Sequence, residues 1–230
     1  MLKLDDKSLI FLGDFHGRWN DIWNLIFHKN ITNCNLICVG DVGLGFESSS
    51  SQTNTLNKYN NYFKSQDINF YSIRGNHDDP KFFKGEGRVC LSNLELVEDY
   101  TIATWKAQTI QFIGGAISID RKGRIDGRSY WKGEVVDYKP EKLQKVDILV
   151  THTCPSWCFP QQFGEIVYGW AQEDITLLQD LRAERQLINM IFNVCKPSVH
   201  LYGHFHDSRI EEIDSCKHKL LNINEFWELK

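Results

Sequence analysis

The chain has 230 residues, of which 42% are hydrophobic and 24% charged, with a formal net charge of -4. This composition excludes wholesale disorder and supplies a real core, while the mild negative charge excludes the overall basic footprint of a nucleic-acid binder. No apolar run approaches the roughly 18 residues of a membrane span, so no membrane partner is expected. The length fits one domain over residues 1–230. The cysteines (Cys34, Cys38, Cys90, Cys154, Cys158, Cys195 and Cys216) are odd in number and unframed, and no signal-peptide pattern precedes them. They point to a reduced, cytoplasmic setting.

In chain order, Ser8 to Leu12 reads as an apolar strand delivering Gly13-Asp14-Phe15-His16-Gly17, and Arg18 to His28 reads as a helix. Asn35 to Val39 repeats the design before Gly40-Asp41-Val42-Gly43, and Ile68 to Ile73 repeats it before Gly75-Asn76-His77-Asp78. Ser48 to Ser51 is a low-complexity stretch expected in an exposed loop. Asp79-Pro80 has the form of a helix N-cap followed by proline at the first helical position, which gives Asp79 a structural role. Leu94 to Val97, Tyr100 to Trp105 and Thr109 to Ile113 are short strands with little helix between them, expected to form the β-rich second half of a sandwich. Val146 to Val150 presents Thr151-His152. From Glu173 to Cys195, apolar residues at 175, 178, 181, 188, 191, 192 and 195 follow a helical period. Ser198 to Tyr202 leads into Gly203-His204-Phe205-His206, and Arg209 to Ile213 pairs with Lys219 to Ile223 as a closing hairpin.

Strand, ligand-bearing loop, helix is the recurring unit, and ligands of open α/β sheets gather at the carboxyl ends of strands. Carboxylate, imidazole and amide oxygen together suit borderline divalent ions such as Mn, Fe, Ni or Zn, whereas an all-oxygen set would suit Mg or Ca. In Asp14-x-His16 and in His204-x-His206 the two side chains can project to the same side of an extended segment. Two ions about 3.5 to 4 Å apart clamp a phosphoryl group and turn bound water into hydroxide, so hydrolysis of a phosphate ester is the reaction that fits. Cys154 and Cys158 follow His152, but Pro155 intervenes and no second cysteine pair matches, so no zinc knuckle is expected.

The five segments, in this order from Asp14 to His206, resemble the calcineurin-like metallophosphoesterase superfamily, whose pattern runs GDxHG, GD, GNH[DE], a lone His and GHxH. The resemblance implies a four-layer αββα sandwich of the α/β class, with two mixed β-sheets flanked by helices. It further implies two divalent transition-metal ions, Mn foremost. Asp14, His16 and His206 would hold one ion, Asn76, His152 and His204 the other, and Asp41 would bridge. It implies attack on phosphorus by a metal-bridging hydroxide, with His77 as general acid at the leaving-group oxygen. Asp78 is expected to support its loop through hydrogen bonds.

The second motif departs from the GDxVDRG of the superfamily's protein Ser/Thr phosphatases, reading Gly40-Asp41-Val42-Gly43-Leu44-Gly45-Phe46 with neither the second Asp nor the Arg. A replacement phosphate grip is sought in the cationic loop from Asp120 to Tyr130, which carries Arg121, Arg124 and Arg128. Gly114-Gly115-Ala116-x-Ser118-x-Asp120 followed by Arg121 resembles small bacterial and phage metallophosphoesterases. Arg18 and Arg74 lie beside motifs and suit either phosphate or a carboxylate. The expected substrate is a small-molecule or nucleotide phosphoester, monoester or diester. A Ser/Thr-type protein phosphatase, a nuclease and a non-enzymatic scaffold of the same fold are the alternatives. Pocket shape is expected to depend on loops such as Phe46 to Thr55 and Asp120 to Trp131.

Overall fold

The computed structural model describes residues 1–230. One sheet contains β2 (Ser8–Leu12), β3 (Cys34–Cys38), β4 (Ile68–Ser72) and β5 (Leu94–Leu96), all parallel, with β12 (Phe226–Leu229) antiparallel along the free side of β2. The other runs β1-β6-β7-β8-β9-β11-β10. Its strands are β1 (Leu2–Lys3), β6 (Ile102–Trp105), β7 (Gln108–Ile113), β8 (Ile148–Thr151), β9 (Val199–Tyr202), β10 (Arg209–Ile213) and β11 (Cys216–Leu220). Each sheet mixes parallel and antiparallel pairs.

Alternation along the strands makes four layers. Leu9, Phe11, Ile37 and Tyr71 face Phe112, Ile148, Val150 and Leu201 across the space between the sheets. Leu12, Leu36, Cys38 and Phe70 point to the opposite side, where α1 (Trp19–His28) and α2 (Ser49–Ser65) cover them with Trp19, Ile22, Leu56 and Phe63. On the far side of the second sheet, α4 (Leu177–Cys195) packs Ile188, Ile191 and Cys195 on Ile113 and Leu149. Each such Leu, Ile or Phe contributes about 1.5 to 3 kcal/mol through burial. The architecture is the αββα sandwich of two mixed sheets and flanking helices.

Several local expectations are corrected. Ser49 to Ser51 open the 17-residue α2 instead of an exposed loop; Ser48 caps the helix, accepting from the Ser51 amide, and Gln52, Leu56, Tyr59 and Phe63 form its buried stripe. Most of the segment 46–55 is therefore helical. Leu94–Leu96 joins the first sheet beside β4, so only β6 and β7 of that trio build the second. The long helix begins at Leu177, not Glu173, because Asp174 is tied to Arg121 and the chain before it turns; Ile175 is 96% exposed. After the closing hairpin the chain crosses back as β12, a strand not anticipated. No helix is long and apolar enough to cross a membrane.

The α4 face also buries Glu184, whose carboxyl is pushed up to about 8 by burial, against the pull of the Ile117 amide. A folded-state pKa above the unfolded value of 4.5 means that the native state holds the extra proton, so its stability falls as pH rises from about 4.5 to about 8. Glu184→Gln should therefore raise the melting temperature at pH 8 by more than at pH 5. Thermal melts at the two pH values check this, and an equal gain at both would show that Glu184 does not titrate across that range.

Candidate metal centre

The parallel strands β2, β3, β4, β8 and β9 end on one edge of the sandwich, so the loops after them carry Asp14, Asp41, Asn76, His152 and His204 to one place. His16 Nε2 and His206 Nε2 stand 3.0 Å apart, and His206 Nε2 lies 3.4 Å from Asp14 Oδ2. His152 Nε2 lies 3.4 Å from Asp41 Oδ1 and 3.1 Å from Asn76 Oδ1, which is also 2.9 Å from His204 Nδ1. His16 Nδ1 is 3.8 Å from Asp41 Oδ2. All seven sequence-predicted ligand positions converge.

Close approach explains two of the motif glycines. A Cβ on Gly75 would fall 1.9 Å from Asp41 Oδ1, and one on Gly203 would fall 2.2 Å from Asp14 Oδ1. Each carboxylate is thus seated on the glycine of a different motif. Asp78 clamps the loops together, accepting from the amides of Val42, Gly43, Leu44 and Gly75. Burial and the charge of Asp41 push its carboxyl up to about 7 against those amides. Asp79 caps the 3₁₀ turn Pro80–Phe83 by accepting from the Lys81 amide.

The electrostatics call for positive charge. His152 Nδ1 donates to the Val39 carbonyl at 2.8 Å, an interaction only a protonated Nδ1 can make, so Nε2 is the position open to a metal. Burial alone would lower the His152 pKa, but Asp41 and Asp14 push it up to about 10. Burial works against ionised Asp41 too, yet His152, charged and hydrogen-bonded beside it, holds its carboxyl well below the usual range. Burial keeps His16 and His204 below their ordinary value and hence neutral, with lone pairs available. Asp14 Oδ1 is buried without a hydrogen-bond partner. The donor set is carboxylate, imidazole and amide oxygen, and a divalent transition metal fits it.

Residues not signalled by the motifs complete the surroundings. Asn76 Nδ2 donates to Ser118 Oγ at 3.0 Å, and Ser118 Oγ donates to Glu134 Oε2 at 2.7 Å, which aims the Asn76 oxygen at the two histidines. Ser118 sits in the Gly-Gly-Ala-x-Ser stretch, but Glu134 carries no motif. His77 faces the centre, its amide donating to Asp41 Oδ1 at 2.8 Å. Arg124 lies against its ring, with Nη2 2.9 Å from Nε2 and Nη1 3.3 Å from Nδ1. A guanidinium only donates, so His77 is neutral here. Burial lowers its pKa to about 4, with Arg124 and His16 adding to the effect and Asp41 opposing it.

The other predicted cations are elsewhere. Arg121 is engaged by Asp174 and Asp180, and Arg128 is exposed on its loop; neither reaches the cluster. Arg74 is spent on Asp99 and on the carbonyls of Gly133, Glu134 and Val135, and Arg18 is exposed. Cys154 and Cys158 form no pair. Cys158 instead meets His218, which meets His200 at 3.1 Å, while His200 Nε2 reaches Thr151 Oγ1 at 2.8 Å. Because the Thr151 hydroxyl donates to Thr153, His200 Nε2 must donate to Thr151, leaving Nδ1 to accept from His218. His218 Nδ1 is thus shared between His200 and Cys158, and its buried Nε2 has no partner.

Clustered metal-binding side chains at the carboxyl edge of an αββα sandwich define, in general terms, a metal-dependent hydrolase. The chain belongs to the calcineurin-like phosphoesterase family, whose model matches residues 7–208. A comparison with curated proteins found no match. Among solved structures it is similar to a conserved protein of Streptococcus pneumoniae TIGR4 described as a predicted phosphoesterase, at 13% identity and a TM-score of 0.36, covering 94% of this chain and 72% of that one. It is similar to GAP50, the anchor in the inner membrane complex of Plasmodium, at 13% identity and TM-score 0.45, covering 94% and 72%. The phosphopantetheinyl hydrolase of Mycobacterium tuberculosis aligns at 13% identity and TM-score 0.40, covering 94% and 90%.

Removing the Ser118 hydroxyl should release the Asn76 amide. Ser118→Ala is expected to weaken Mn binding by about 10- to 100-fold, as outer-shell losses typically do, with the fold intact. Calorimetric titration with Mn measures it, and unchanged affinity would mean that Ser118 does not position Asn76.

Proposed function

We propose that this chain is a metal-dependent phosphoesterase acting on a small-molecule or nucleotide phosphoester. The observation that carries the reading is the convergence of acceptor atoms on the centre: Asp14 Oδ1 is buried without a partner, and Asn76 Oδ1 sits between imidazole nitrogens of His152 and His204. In this assignment Asp14, His16 and His206 would hold one ion and Asn76, His152 and His204 the other, with Asp41 available to both. When bound, two divalent transition-metal ions, Mn first and Fe, Ni or Zn as alternatives, supply the Lewis acidity that activates water and offsets phosphoryl charge.

The chain's own residues orient and protonate. Arg124, held at one side by Asp120 at 2.7 Å, is the cation placed to take a phosphoryl oxygen. Arg121 and Arg128 receive no substrate contact in this scheme. His77 is the general acid. An anionic phosphoryl group drawing on Arg124 cancels the charge that disfavours the imidazolium, so substrate binding raises the His77 pKa and sets a proton beside the leaving oxygen. The second motif lacks the Arg of the protein phosphatases, and Arg124 meets that need from a different loop.

Mn-supplemented hydrolysis of paired chromogenic phosphomonoesters and phosphodiesters tests the assignment and reads the preferred class. Asp41→Asn should abolish turnover, and retained activity would overturn the two-metal reading. His77→Ala should lower turnover by about 10²- to 10⁴-fold on esters of poorly leaving alcohols and far less on nitrophenyl esters, whose anion leaves unprotonated. An equal loss on both would remove the proton-donor role.

A further inference from the structure

A cleft of about 870 Å³ opens at the metal centre and runs well beyond it. At one end lie Asp41, Asn76, His77, Arg124, His204 and His206. The rest is a different environment, built by the segment around α3 (Glu165–Trp170) and by α4, with Ile119, Phe163, Val167, Trp170 and Leu181 on its walls and Phe159 beside them. Val167 and Trp170, three apart on one face of α3, and Phe163 just before the helix pack against Leu177 and Leu181. The wall residues from 119 to 170 are only partly buried, and they leave an apolar surface facing empty space.

Among the polar side chains of this arm Gln162 and Glu165 are exposed, and Glu184 is buried. Glu184 lies one turn after Leu181 on α4; it is 4% exposed, and its Oε1 has no hydrogen-bond partner. Arg185 lines the same cleft but is not that partner, because its guanidinium is spent on the carbonyls of Cys154, Pro155, Cys158 and Pro160. A carboxyl oxygen sealed in an apolar wall without a donor is costly, and such a group in a pocket marks where a ligand donor belongs.

We propose that this arm is the leaving-group subsite, and that it takes a flat aromatic heterocycle carrying N–H donors, an aminated nucleobase, with Glu184 accepting from the ring amine and Trp170 and Phe163 packing on its faces. The inference rests on the phosphoesterase reading for its name as a leaving-group site, but not for its occupant. An acyl chain would leave Glu184 Oε1 unpartnered, and a sugar would set its hydroxyls against Phe, Val and Leu. A ring with both an apolar face and an N–H edge satisfies both walls. The typical volume of ligand pockets, roughly 300 to 1,000 Å³, leaves room for a nucleoside beside the phosphoryl group.

The experiment is calorimetric titration of the full chain with adenosine, cytidine, purine riboside and ribose. None carries phosphate, so the outcome is independent of turnover. Adenosine should bind at least about tenfold more tightly than purine riboside, which has the same ring without the amine, and ribose should not bind. Glu184→Leu should erase the preference for the amine, and Trp170→Ala should weaken both purines alike. Equal binding of adenosine and purine riboside by the wild type, no binding of any nucleoside, or a preference that survives in Glu184→Leu would each overturn the proposal. Nucleoside binding without ester hydrolysis would leave the subsite standing and defeat the phosphoesterase reading instead.

Discussion

Two buried carboxylates share a small volume with imidazoles, and the fold turns no lysine or arginine onto them. Asp14 and Asp41 are each about 1% exposed or less. The one nearby guanidinium, Arg124, is turned onto His77 and Asp120 instead. Charge buried in this way is tolerated only when paired, and these carboxylates accordingly push the His152 pKa up. A divalent ion bound there would provide the same compensation more fully, since it would accept the lone pairs of several residues at once. The arrangement of loops, glycines and outer hydrogen bonds follows from the need to crowd acceptors around that charge.

Crowding has a backbone cost that is visible in the dihedrals. His16, Asp41, His204 and His206 all adopt positive φ, between 45° and 69°, in the left-handed region that non-glycine residues rarely occupy. Such residues persist where the surroundings over-determine them, at about 1 to 3 kcal/mol each. Here the restraint can be named. The amides of Phe15 and His16 donate to the Asp41 carbonyl, the His204 amide to Asp14 Oδ2, and the His77 amide to Asp41 Oδ1. Loops from different strands therefore hold one another, and Asp78 ties the second motif to the third through four amides. Strain at one loop is offset by hydrogen bonds given by its neighbours, which makes the centre one unit.

What was legible in the sequence was whatever repeats locally. Strand followed by glycine and a metal-ligating residue is a short-range pattern, and it located β2, β3, β4, β8 and β9 to within about two residues. The α2 helix was obscured by its Ser, Asn, Thr and Gln content, which has weak helix propensity and reads as loop. Its signal was nevertheless present in the spacing of Leu56, Tyr59 and Phe63 and in the Ser48 cap. The placement of β5 could not be read, because strand propensity does not say which sheet a strand joins. Among the cations, composition marked the loop from Asp120 to Tyr130 but could not foresee that Arg121 would be claimed by Asp174 and Asp180, more than 50 positions away. The link from Glu134 through Ser118 to Asn76 is likewise a contact between segments, invisible until they are folded together.

The two ends of the cleft differ in how firmly they are held, and the difference suits their tasks. The charged end hangs on five strand ends cross-linked by amides and carboxylates, which hold its atoms in place as charge chemistry requires. The apolar arm leans on α3, a six-residue helix that buries none of its own residues and leaves Ile166 72% exposed. Few buried contacts make for low local stability, so this wall can adjust to what fills the arm far more cheaply than the strand ends can move. On the proposed reading, position is demanding where a phosphoryl group would sit, since the geometry of charge governs the rate, and shape is negotiable where a leaving group would sit, since burial governs affinity. A single sandwich meets both demands by building the first from strand termini and the second from a lightly packed helical segment.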